Sequence, residues 1–154
     1  MQSLFAQYGD VIVWLHVFSA FVWVGGMIAV RFAVHPMMQQ VEDPKLKLGT
    51  TLKIMGRFFH LVMPFIFIIL MTAIMMLLAT GSTPTAYMKE GIWAIMTANF
   101  TWIYFKRSKG QKAFDRGDIP LAKSSVALIP KLLLPINIVL GLIALWLGVI
   151  LRGL

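Results

Sequence analysis

The chain has no cysteine in its 154 residues. Disulfides and thiolate metal centres are therefore excluded. It is also poor in charge: Asp, Glu, Lys and Arg make up 13% of it, against about 25% in a soluble domain. Acids are scarcest, with six in all, and none lies inside a long apolar run. A proton pump built on buried carboxylates has nothing to work with here. The sequence contains no phosphate-cradling glycine loop, no nucleophile motif and no zinc signature. What it has in excess is apolar residues, at 59%.

Those residues come in runs. About 20 apolar residues cross a hydrocarbon layer about 30 Å thick. Segments 11–30, 58–80 and 132–151 contain no Asp, Glu, Lys or Arg. Segment 91–105 is shorter. It reaches spanning length if its helix starts near Pro84, with Ser82 or Thr83 as the cap and proline in the first turn. The pattern predicts helices over about 11–34, 54–80, 84–114 and 128–151. Short connections favour an up-down arrangement. The expected fold class is an all-α integral membrane protein, an antiparallel four-helix transmembrane bundle in one domain covering 1–154. Small residues mark expected packing faces: Ser19, Gly26, Ala29 and Ala33 in the first span, and Asn137, Gly141, Ala144 and Gly148 in the fourth. Pro64 and Pro135 sit inside spans and should kink them. Gly117-Asp118-Ile119-Pro120 reads as a turn.

The cations set the expected orientation. Of fourteen Lys and Arg, five fall in 31–57 and seven in 106–131, leaving only Lys89 and Arg152 elsewhere. The positive-inside bias puts both basic segments in the cytoplasm and both termini outside, in a bacterial-type inner (plasma) membrane. Tyr8, Trp14, Tyr87, Trp93 and Trp146 are expected as anchors at the outer interface, with Lys89 and Glu90 at headgroup level. The net charge of +8 is thus read as attraction to anionic lipid and not to nucleic acid. The first apolar run is too long for a signal core and has no small-residue cleavage site after it, so it is expected to stay as the first span.

Three histidines lie in or beside the spans, where an ionisable residue is a functional candidate by default. His16 falls in the outer part of the first span and His60 at the inner start of the second. They differ in depth by about 19 Å, so one metal ion bridging both is disfavoured. His16 also reads as a polar residue bonded to a neighbouring helix, with Ser19, Asn99 or Asn137 as partners. His35 ends the first span, shares a face with His60 and doubles as a plain interfacial residue. Arg31 precedes His35 by four residues and Arg57 precedes His60 by three, so each cation shares a helical face with an imidazole. With Lys131 they form a basic rim suited to a carboxylated planar ligand, with imidazole on a haem iron and guanidinium on propionates. Snorkelling to headgroups explains the same cations. His35-Pro36-Met37-Met38, with His60, makes a soft-metal cluster suited to copper.

Trp14-Leu15-His16, Trp23-Val24-Gly25-Gly26, Arg31 and His35 together resemble the first helix of the HemJ-type protoporphyrinogen IX oxidases. The stretch is also similar to the first helix of CopD-type copper-resistance membrane domains. Arg57-Phe58-Phe59-His60 with Pro64, and Gly91-Ile92-Trp93, resemble the starts of the second and third HemJ helices. The resemblance implies a haem b protein, with His16 as ligand or catalytic histidine. Two features depart from that pattern. Ala94-Ile95-Met96-Thr97 lacks the family's third-helix lysine, and Ala127-Leu128-Ile129 replaces its polar pair before Pro130. His60 is not part of the pattern. The leading expectation is a haem b-binding membrane protein in electron transfer or porphyrinogen oxidation, with a porphyrin or redox partner. His16, His60, Arg31 and Arg57 are the expected cofactor contacts, and His16, His60 and His35 the metal candidates. Whether it is an enzyme stays open, as does homo-oligomerisation. A CopD-type copper-binding or transport protein, and a non-catalytic subunit of a larger membrane complex, are the other readings.

Overall fold

The computed structural model describes residues 2–81 and 83–151. It is all-helical among those residues. Ser82 and Arg152, both singled out in the sequence, lie outside them.

The chain runs as α1 (Gln2–Ala29), α2 (His35–Gln39), α3 (Pro44–Thr80), α4 (Pro84–Asp115), α5 (Ile119–Val126) and α6 (Leu134–Leu151). The connections that start α3, α4 and α5 are built the same way. Asp43 accepts from Lys45 N at 2.8 Å, Thr83 from Ala86 N at 3.2 Å and Asp118 from Leu121 N at 3.0 Å, each with a proline in the first turn. A cap of this kind stabilises a helix by about 1 kcal/mol, and proline there gives up no needed N–H. Gly81 and Gly117 close the preceding helices at φ 79° and 81°, a backbone region that suits glycine alone.

Two stretches are π-helical: Val30–Val34, joining α1 to α2, and Ile129–Leu133, leading into α6. Both end two residues before a proline, Pro36 and Pro135. Proline cannot donate to the carbonyl four residues back and its ring crowds it. Widening the preceding turn removes that conflict. The kink expected at Pro135 is thus a change of winding.

The helices extend past the charge-free runs that predicted them. The second begins at Pro44, not near 54, and the first begins at Gln2. The reason is amphipathic continuation: Leu48 and Leu52 are buried while Lys45 and Lys53 point out. Residues expected to lead directly into the fourth span form a separate helix, α5. It packs on α4 where Gly110 lies against Val126.

Three stretches are long and apolar enough to cross a membrane: Phe5–Gln39, Pro44–Thr80 and Ile119–Ile150. α4 completes the packing without belonging to that set. α1 packs on α3 and α6, and α4 packs on the same two helices. The core between them holds Trp23, Met27, Leu52, Phe59, Val62 and Phe100. Gly141 lets α6 close on α1, since a Cβ there would sit 2.6 Å from Val24 Cγ2. In the fourth-span stripe Asn137 and Gly141 are buried and Ala144 and Gly148 half-buried, as a packing face requires. The first-span stripe is only half right: Ser19 is buried, but Ala29 and Ala33 are exposed. Large apolar side chains cover the outside, among them Phe21, Phe67, Trp102 and Trp146.

Candidate functional site

A cavity of about 510 Å³ opens at the end where residues 40–43 and 116–118 connect the helices. Its deep wall is apolar, formed by Met27, Phe59, Phe100, Ile103 and Leu134. Its mouth carries His35, Glu42, Lys47, Lys123 and Lys131, three lysines against one acid. Along α3, Phe59 lies twelve residues from Lys47, so the cavity reaches about 18 Å inward. Both π-helical stretches line it, through Val30 and Val34 on one side and Ile129 to Lys131 on the other. A wider winding turns side chains away from an ordinary helical face, and such turns recur at functional sites.

His35 belongs to this cavity. Its Nε2 accepts from Gln39 Nε2 at 3.3 Å, a long contact on an exposed edge that a stronger partner would displace. Met38 and Met55 line the cavity beside it. Lys131 of the expected basic rim lines it too, but the two arginines of that rim and His60 are elsewhere. The Arg31 guanidinium lies over the Phe32 ring at 5.7 Å. Arg57 is exposed and does not line the cavity. His60 is exposed as well, with Nδ1–H donating to Gly56 O at 2.7 Å on its own helix. The pairing of His35 with His60 does not form in this cavity. Met37, expected in the soft-metal cluster, points outward.

His16 lies in another layer. Its Nδ1 is 2.9 Å from Thr72 Oγ1. The Thr72 hydroxyl donates to Ile68 O at 2.6 Å, so it has only lone pairs left for the imidazole. That fixes Nδ1 as the protonated nitrogen and leaves Nε2 with its lone pair. Thr72 is twelve residues along α3 from His60, about 18 Å, so the two histidines stay in separate layers. The expected partners of His16 are used otherwise. Asn99 donates to Asn137 Oδ1 and to Leu133 O, both at 2.8 Å, and Asn137 donates to Met96 O. These bonds tie α4 to α6. Ser19 is fully buried and has no partner.

Three residues have packing contacts that the sequence did not mark. Trp93, expected at the interface, is packed against the core with its Nε1 buried. Lys89 is half-buried, with Nζ 3.4 Å from where a Cβ on Gly148 would sit. Arg107 lies across Gly56 and donates twice to Leu52 O, at 3.2 and 3.0 Å, binding α4 to α3. Its signal was hidden among six neighbouring cations in 106–131.

Among the described residues no three His, Asp or Glu side chains gather as a metal site. No family model, curated protein or solved structure matches the chain.

Proposed function

We propose that the protein is an antiparallel four-helix bundle of a bacterial-type inner membrane, with its basic end in the cytoplasm and both termini outside. Its function in this reading is to bind an anionic amphiphile with a broad apolar body, of the carboxylated tetrapyrrole class, with haem b as the specific ligand. The observation that carries this is the gradient within one cavity: apolar in depth, cationic at the mouth. Propionates match the three lysines, and a flat ring matches the Phe58, Phe59 and Phe100 wall. His35 would hold the iron, with Met38 and Met55 as neighbouring thioethers. An iron tetrapyrrole in such a site supplies one-electron redox chemistry, and the protein supplies burial and orientation. His16 stays outside this ligand's reach, so a role for it is separate.

Expression with ample haem, followed by an absorption spectrum of the purified protein, tests the reading. A Soret band lost in His35→Ala and kept in His60→Ala is expected. No Soret band in the native protein sinks it.

A second reading is favoured by one observation: Met27, Met38 and Met55 line the same cavity as His35. Thioethers with an imidazole suit Cu(I). Metal analysis after growth with copper separates the readings, since copper retained without porphyrin supports only this one.

A further inference from the structure

A second cavity, of about 370 Å³, lies on the other side of α5. Ile119, Lys123 and Val126 of that helix line the large cavity, and Leu121 lines this one. The facing wall is formed by Phe105, Ser108, Lys109, Lys112 and Arg116. Counted from Phe105 these are positions i, i+3, i+4, i+7 and i+11, one face of α4 and its end. The fold holds α5 beside that face. Gly117 reverses the chain at φ 81°, and Gly110 permits close packing, since a Cβ there would sit 2.9 Å from Val126 Cγ1.

The lining is cationic. Lys109, Lys112 and Arg116 are all exposed and meet one acid, Asp118. That carboxylate already accepts from Leu121 N at 3.0 Å, where it caps α5. Asp115, at the end of α4, accepts from Gln111 Nε2 at 2.8 Å. Ser108 adds a hydroxyl donor. Two ammonium groups, a guanidinium fork and a hydroxyl form a donor set suited to a phosphate group.

The surroundings of the cavity select the kind of phosphate. The charge-free run 91–105 ends at Phe105, and Lys106 lies over the exposed Trp102 ring at 5.4 Å. Tryptophan beside lysine at the end of an apolar run marks a membrane interface. Ser108 and Lys109 lie about 4.5 and 6 Å beyond Phe105, within a headgroup layer about 5–7 Å thick. Lys112 and Arg116 are farther along α4, but helical side chains slant toward the N-terminus, here back toward that layer. Phe105 is 63% and Leu121 40% exposed, so both walls also present apolar surface. A free phosphate has no use for that surface, whereas an acyl chain does.

We propose that this cavity binds the phosphate of an anionic phospholipid, with Lys109, Lys112 and Arg116 on its oxygens and an acyl chain along Phe105. Its placement at a bilayer surface rests on the membrane reading above. The ligand of the larger cavity plays no part in it.

The test uses the full chain without added haem, in a neutral detergent, titrated with dioleoyl phosphatidylglycerol. Native mass spectrometry counts the bound lipid. One lipid is expected to bind saturably, and Lys109→Gln with Lys112→Gln is expected to weaken it about 5–30-fold. Lys45→Gln with Lys53→Gln removes the same charge from exposed positions outside both cavities and is expected to change it less than about twofold. Equal weakening by the two pairs overturns the site, because it marks attraction to the basic end as a whole. A larger loss from Lys123→Gln with Lys131→Gln overturns it too, by placing the lipid in the larger cavity. Inorganic phosphate at the lipid's concentration is expected not to displace it, and displacement overturns the lipid as occupant. Recovery of the native chain in the membrane fraction after alkaline washing tests the membrane reading by itself, so the two failures are told apart.

Discussion

Replacing Thr72 by valine removes the one acceptor that holds His16 and changes little in volume. Thr72 is 5% exposed, and its contact to His16 Nδ1 is 2.9 Å. Two limits bracket the loss. Hydrogen bonds between transmembrane helices average about 0.6 kcal/mol and reach about 1.7. A buried donor left bare costs about 1–3 kcal/mol. His16 is only half-buried, which favours the overlap of the two ranges, about 1–1.7 kcal/mol. At about 2–4 °C per kcal/mol for a chain of this size, Thr72→Val should lower Tm by about 2–7 °C. The methyl groups complicate a single variant, so the pair is best measured as a cycle with His16→Leu. Thermal unfolding of the four proteins in micelles gives the coupling, expected at about 0.6–1.7 kcal/mol. ¹⁵N spectra of His16 should show the Nδ1–H tautomer in the native protein. If Thr72→Val costs as much beside Leu as beside His16, the bond contributes nothing and the tautomer argument falls with it.

Two further outcomes follow from the packing and the cavity. Gly91 has nothing within 4 Å of an added Cβ, whereas Gly141 has Val24 at 2.6 Å. Gly91→Ala should therefore raise stability by up to about 1 kcal/mol, and Gly141→Ala should lower it, since overpacking costs about 1–3 kcal/mol. Unfolding in micelles reads the opposite signs. Neutralising the exposed pair with Lys123→Gln and Lys131→Gln should weaken haem binding about 5–30-fold. Each screened cation is worth about 0.5–1 kcal/mol, and the effect should shrink in high salt. A Soret titration with an unchanged Kd would falsify the assignment of the mouth.

The sequence made the three long apolar helices legible because crossing a membrane imposes a coarse requirement: length without charge. The same criterion hid the helix ends. Pro44–Leu52 is helical yet carries charge, and amphipathic packing through Leu48 and Leu52, not hydropathy, extends it. Thr83 was readable as a cap because its chemistry is local. The candidate site was readable only in part. His35 and Lys131 were placed at the mouth, but Arg31, Arg57 and His60 were grouped with them by spacing along their own helices. Helical spacing says which side chains share a face. It does not say which face turns inward, and that depends on the neighbouring helix. The partner of His16 was missed for the same reason: Thr72 lies 56 residues away in sequence, and nothing local marks it.

The π-helical stretch at Ile129–Leu133 has a consequence for everything after it. An α-helix turns about 100° per residue, so one residue more or fewer in that stretch would rotate α6 by about that angle. Asn137 would leave Asn99, and Gly141 would leave Val24. The widened turn thus works as a phase setting for the last helix. A single-residue deletion there would leave composition and span length almost unchanged, yet would present a different face to α1 and α4.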